Sequence, residues 1–160
     1  MPNYINLKKQ AGASLIEILV AIFVLAAGLF GLASMQILSF KNINNSQFHT
    51  LATMYAYDIG ERMRSNREAV SAGYYDNISS SNLVEPNCTP CSPEQVAKLD
   101  AFKWNQQIST DVIDGGLPDG TGTVTKVGDV FNITVKWKEQ QQSDAGGSVG
   151  DAAFTLNIQI

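Results

Sequence analysis

From Ile18 to Ala33 every residue is apolar or glycine, and the run is headed by a single carboxylate, Glu17. A helix that is apolar on all sides is at rest only in lipid or among other helices. With Leu15 and Ile16 added, the run approaches the length that a bilayer crossing needs. A carboxylate at the mouth of such a helix costs on the order of 2–3 kcal/mol if left unpaired in hydrocarbon. Its presence therefore calls for a partner. No proline occurs between Pro2 and Pro86, so the composition permits one helix from Ala13 to about Asn66, roughly 80 Å long at about 1.5 Å per residue.

Upstream of this run lies a short polar leader, Met1 to Gly12, with Lys8 and Lys9 and no acidic residue. Its basic character keeps it cytoplasmic and sends the long polar remainder across the membrane. The leader ends in glycine and is followed by Ala13-Ser14-Leu15-Ile16-Glu17 and the apolar helix. This constellation resembles the start of a type IV prepilin. The resemblance implies that a membrane peptidase cuts after Gly12 and methylates the new N-terminus at Ala13, which makes Glu17 the fifth mature residue. Two features depart from the family: most members begin the mature chain with phenylalanine, and major pilins commonly carry a proline in the apolar segment, where this chain has only Gly28 and Gly31.

Given the cleavage that the resemblance implies, a role for Glu17 follows from charge. Cleavage leaves an α-amine on Ala13, a cation as unwelcome near hydrocarbon as the carboxylate. The glutamate of one subunit can pair with the amine of its neighbour, so that both are neutralised only on assembly. Such a pair fixes helix register, the best-attested use of a buried ion pair. A plain signal anchor with a snorkelling glutamate is one competing reading. A cleavable secretory signal ending near Gly31-Leu32-Ala33 is another, opposed by Glu17 at the head of the run and by a helical pattern that continues beyond Ala33. Gly28 and Gly31 either let neighbouring helices approach closely or simply loosen the segment.

The 160 residues leave room for one globular domain beyond the N-terminal segment. The expected organisation is a leader (1–12), a transmembrane or filament-core helix (13–35), an amphipathic helical arm (36–66) and a globular domain (67–160). Along the arm, Phe48, Ala52, Tyr55, Ile59 and Met63 recur at helical spacing and form one apolar stripe, read as core. Arg62, Arg64 and Arg67 suit the negative end of the helix dipole. Eleven basic against fifteen acidic side chains, with two of the lysines in the leader, argue against nucleic-acid binding as the main activity.

Glu68 to Pro93, rich in Ser, Asn, Gly, Tyr and Pro, reads as a connecting loop. Ser92-Pro93-Glu94-Gln95 is a capping box with proline at the first helical position. It predicts a second helix to about Thr110, with Val96, Leu99, the Lys103 stem and Trp104 on one face. Cys88 and Cys91 flank Thr89-Pro90, and export across the membrane would let them pair as a disulfide. Position just before a helix N-terminus also permits a redox reading, but no preceding strand supplies a thioredoxin-like setting. The phrase Gly60-Glu61-Arg62-Met63-Arg64-Ser65-Asn66-Arg67 and the run from Cys91 through Asp100 to Trp104 are similar to PilV-type minor pilins.

Beyond Asp111 the pattern turns to strands. Asp114-Gly115-Gly116 and Pro118-Asp119-Gly120 mark turns, Thr121 to Val127 a strand, and Gly128-Asp129 a hairpin turn. Phe131, Ile133, Val135 and Trp137 alternate with polar residues, as do Phe154, Leu156, Ile158 and Ile160 near the end. Glu139 to Asp151 between them reads as a polar loop. Three or four antiparallel strands covering the helical stripe give an α+β class, a long N-terminal helix packed on an antiparallel sheet; the resemblance implies the pilin fold.

No phosphate-binding glycine loop, zinc spacing or nucleophile elbow is present in the sequence, so the chain is read as a non-enzyme without cofactor or metal. His49 reads as a surface or packing residue. Asp111, Asp114 and Asp119 lack the EF-hand order and read as turn chemistry. The resemblance implies a minor pilin that assists filament initiation, and through it adhesion, twitching motility or DNA uptake. The implied partners are other major and minor pilins, the prepilin peptidase, the inner-membrane assembly machinery and, before assembly, membrane lipid. A pseudopilin of the type II general secretion system shares the same helix logic. Two readings of other classes are a DNA-binding filament tip using Lys126, Lys136 and Lys138, and a tethered thiol oxidoreductase using Cys88 and Cys91.

Overall fold

A computed structural model of the chain describes residues 12, 14–81, 84–141 and 148–160. Helix α1 (Leu15–Ser65) is 51 residues long. Backbone contacts divide the chain into Met1–Lys41 and a compact unit, Asn42–Ile160. In the first unit the large apolar side chains of α1 are exposed, and none of its most apolar 18-residue window is buried. By length and composition this helix can cross a membrane.

The second unit is α+β. After α1 come a short helix α2 (Arg67–Ser71), a two-residue strand β1 (Asn77–Ile78) and helix α3 (Pro93–Ser109). A 3-10 turn (Val112–Asp114) leads to strands β2 (Thr121–Val127), β3 (Val130–Gln141) and β4 (Ser148–Ile158). The sheet order is β1-β2-β3-β4, with every neighbouring pair antiparallel. The long helix packs on this sheet, as the alternating strands and the helical stripe predict.

The buried face of α1 carries Ala52, Ala56, Ile59, Gly60 and Met63, with Phe48 and Tyr55 half-buried against it. Ala52, Ala56 and Gly60 lie four apart on one face and are small, which brings the helix backbone close to the strands. A Cβ at Gly60 would stand 3.1 Å from Ile158 Cδ1 and 3.7 Å from Ile133 Cδ1. Helix α3 starts where the sequence predicts: Ser92 accepts from the Gln95 N–H, and the Gln95 side chain accepts in return from the Ser92 N–H. That reciprocal pairing satisfies two of the donors a helix start leaves open.

Trp104 joins α3 to both other layers. Its indole Nε1 donates to the Tyr55 carbonyl of α1 at 2.8 Å, and its ring lies over Gly122 of β2, where a Cβ would be 2.6 Å away. Asn105, buried beside it, accepts the Gly122 N–H at 2.9 Å and donates to the Ala101 carbonyl at 3.3 Å. Val124, Phe131, Ile133, Val135 and Trp137 complete the core from the sheet side, each such side chain contributing about 1.5–3 kcal/mol by burial. The β2–β3 hairpin turns at Gly128-Asp129, with Gly128 at φ 62°. A left-handed first turn position is what a two-residue hairpin of the II′ kind requires.

Three sequence expectations are corrected. The Glu68–Pro93 connection contains α2 and β1; Ala69, Val70, Tyr75 and Ile78 supply enough buried surface to hold short elements that no periodicity announces. The Glu139–Asp151 loop is much shorter, because Glu139, Gln140 and Gln141 pair with Gly150, Val149 and Ser148. Main-chain pairing extends the hairpin there regardless of polar side chains. Lys103 is exposed; the buried face of α3 is Ala97, Ala101, Trp104, Asn105 and Ile108.

Candidate functional site

The start of α1 is the candidate site. The Ser14 carbonyl accepts the N–H groups of Glu17 at 3.0 Å and Ile18 at 3.2 Å, so the helix closes its first turn around the glutamate. An acid in the first turn is favoured by the positive end of the helix dipole. Glu17 and Gly12 are exposed, and Ala13 lies outside the described residues. None of the ion pairs among the described residues involves Glu17. Leu15, Phe23 and Phe30 are 87, 72 and 76 % exposed, a degree at which large apolar side chains call for lipid or protein cover. A Cβ at Gly28 or Gly31 would meet nothing within 4 Å.

Cys88 and Cys91 are joined as a disulfide, with Cα atoms 4.9 Å apart, and the bridge ends one residue before the α3 cap at Ser92. The three lysines proposed as a basic patch do not share a surface. Lys126 pairs across the strands with Phe131 and lies on the helix side of the sheet, its ammonium 5.1 Å from the Phe131 ring centroid and 3.6 Å from Asp76. Lys136 and Lys138 have the opposite strand phase, and Lys138 bonds Asp151 at 2.6 Å. That bond holds the Asp151 carboxyl below its usual range.

His49 is exposed, with Nε2 3.5 Å from the Glu139 carboxylate and its ring edge-on to Trp137. Arg64 pairs with Glu61 one turn back. Among the described residues no cluster of His, Cys, Asp and Glu could hold a metal ion.

A polar cluster that the sequence does not announce ties the end of α1 to α3. Arg62 donates from Nε to Asp58 at 2.9 Å and from Nη1 to Asp100 at 3.3 Å. Tyr75 donates its hydroxyl to the other oxygen of Asp100 at 2.6 Å. Asn66 donates to Tyr75 Oη at 3.3 Å and to the Pro93 carbonyl at 2.9 Å. Burial and then the bond to Asp100 push the Tyr75 phenol well above its ordinary value. Burial works against the Arg62 charge, but the bonds and charges of Asp58 and Asp100 outweigh it and raise its pKa. The i,i+4 spacing of Asp58 and Arg62 was legible; Tyr75 and Asp100 meet only in the fold.

No family model, curated protein or solved structure matches the chain.

Proposed function

We propose that this chain is a minor pilin of a type IV pilus, of the PilV type, held in the inner membrane by its apolar helix and drawn from there into a filament. The observation that supports this reading is the bare apolar stretch of α1 headed by Glu17, with no residue of its 18-residue window buried. Lipid covers such a surface before assembly, and neighbouring helices cover it afterwards. In the filament Glu17 accepts the α-amine that cleavage after Gly12 leaves on Ala13 of the adjacent subunit, and each charge is tolerable only because of the other. The role is structural: the chain supplies a packing helix and a displayed α+β domain, with no catalytic step and no cofactor.

The deciding measurement is the mass of the mature N-terminus in the native host. A chain that begins at Ala13 and carries one added methyl group is expected. A mature chain that begins beyond Ala33 removes the anchor and with it the filament role. Deletion should abolish pili and twitching; loss of exoprotein release with pili intact would assign the chain to a secretion apparatus instead.

A further inference from the structure

Phe102, Asn105, Gln106 and Ser109 of α3 are spaced so that, at about 100° per residue, they share one side of the helix. Facing them, the chain enters β2 through Gly120 and Thr121, and Ser80 closes the third side just after β1. Between these walls lies a cleft of ≈ 410 Å³, within the range of about 300–1,000 Å³ that small-molecule sites occupy. A Cβ at Gly120 would stand 2.4 Å from the Ile108 carbonyl oxygen. Only a bare position lets the start of β2 lie this close to α3.

The cleft is rich in hydrogen-bonding groups and carries no charge. Among the described residues, none that lines it is ionisable, while the Ser80, Ser109 and Thr121 hydroxyls and the Gln106 amide can each both donate and accept. Phe102, half-buried, is its one aromatic wall. Asn105 is the buried polar member, 6 % exposed. Its Oδ1 accepts the Gly122 N–H at 2.9 Å, and its Nδ2 donates to the Ala101 carbonyl at 3.3 Å. A side-chain amide has two protons to give, and among the described residues the second has no acceptor. A buried donor left over in this way asks for an oxygen from whatever fills the cleft.

We propose that the cleft between α3 and the start of β2 binds a neutral sugar ring. A pyranose carries hydroxyls around its rim, which both donate and accept, and C–H groups on its faces. The rim matches the hydroxyl and amide groups of the lining, a C–H face rests against Phe102, and a ring or acetamido oxygen takes the spare Asn105 proton. An anionic ligand would find no cation in the lining and a cationic one no carboxylate. A wholly apolar ligand would strip the amides and hydroxyls of water and give them nothing in return. All of these residues belong to the compact unit Asn42–Ile160, so the site stands whether or not the chain enters a filament.

The test is a nuclear magnetic resonance titration of the full chain in micelles of dodecylphosphocholine, a detergent without a sugar head group. The probes are methyl β-D-glucopyranoside and N-acetylglucosamine. The Asn105 and Gln106 side-chain amides and the backbone amides of Ser109, Gly120 and Thr121 should shift saturably with at least one of them, with a Kd on the order of 1–10 mM, as suits one ring in an open cleft. The Trp137 indole, outside the cleft, should not move. Phe102→Ala removes the aromatic wall and should weaken binding at least about tenfold. Gln106→Ala, at an exposed position that leaves the core untouched, should weaken it about fivefold to tenfold and decides the matter if the Phe102 variant fails to fold. The absence of saturable shifts with both probes up to about 50 mM, or shifts that Gln106→Ala leaves unaltered, overturns the proposal.

Discussion

The indole of Trp104 occupies the space that a side chain at Gly122 would need: a Cβ there would stand 2.6 Å from two of its ring carbons. Helix α3 can sit this close to β2 only because that position is bare. Gly122→Ala should therefore lower stability by about 1–3 kcal/mol, the cost of overpacking a fitted core, read as a lower denaturant midpoint. Gly128→Ala makes an instructive comparison, since nothing lies within 4 Å there and the burden is the left-handed backbone alone, about 1–2 kcal/mol. An unchanged midpoint for Gly122→Ala would mean that α3 does not rest on β2 as described.

Tyr75 makes the fold sensitive to alkali. Its phenol is raised by burial first and by the bond to Asp100 second, so the neutral form is the one that the folded state favours. The stability this contributes is fully present below the unfolded tyrosine value of about 10 and is lost as pH rises from there through the higher folded value. Thermal unfolding should fall progressively above about pH 10. Tyr75→Phe should flatten that decline while costing about 1–3 kcal/mol at neutral pH through the donor withdrawn from Asp100. A variant that declines with alkali as steeply as the parent would assign the effect to another group.

The disulfide closes a very short loop, so its contribution through the unfolded chain is small, about 2 kcal/mol. Replacing both Cys88 and Cys91 by serine should leave the fold intact with a correspondingly lower midpoint, since the cap at Ser92 and Gln95 still starts α3. Complete unfolding of that variant would show that the bridge holds more than the segment it spans.

On the minor-pilin reading proposed above, Glu17→Val should leave the chain inserted and processed but excluded from sheared filaments, because a neighbour's amine would lose its acceptor. The check is immunodetection in membrane and filament fractions. Normal incorporation of the variant would end the charge-pairing account while leaving the membrane segment as it is.

Much of this architecture was readable from the residues because the signals were local. Ser92-Pro93-Glu94-Gln95 fixes where α3 begins, Gly128-Asp129 fixes the hairpin, and the alternation from Phe131 to Trp137 fixes the buried face. What escaped depended on partners distant in sequence. Nothing in Asn77–Ile78 marks a strand until Thr125 and Val124 are opposite it. The polar residues Glu139 to Gln141 pair because β4 is alongside, not because of their own preference. Lys126, Lys136 and Lys138 look like one patch when written in a line and fall on two faces once the strand phase is known. At the head of α1, Glu17 and the apolar run were evident from composition, whereas the Tyr75–Asp100 contact was invisible because each half looks like ordinary surface chemistry.

The fit of α1 against the strands at Gly60 couples two positions that are far apart in the chain. Ile158 Cδ1 stands 3.1 Å from where a Cβ at 60 would be, so an added methyl on the helix needs a shortened branch on the strand. Ile158→Val removes that atom, and Gly60→Ala should be tolerated beside it better than alone. Bulk at residue 60 and reach at residue 158 are thus exchanged one for the other, and natural variation at the two sites should move in step.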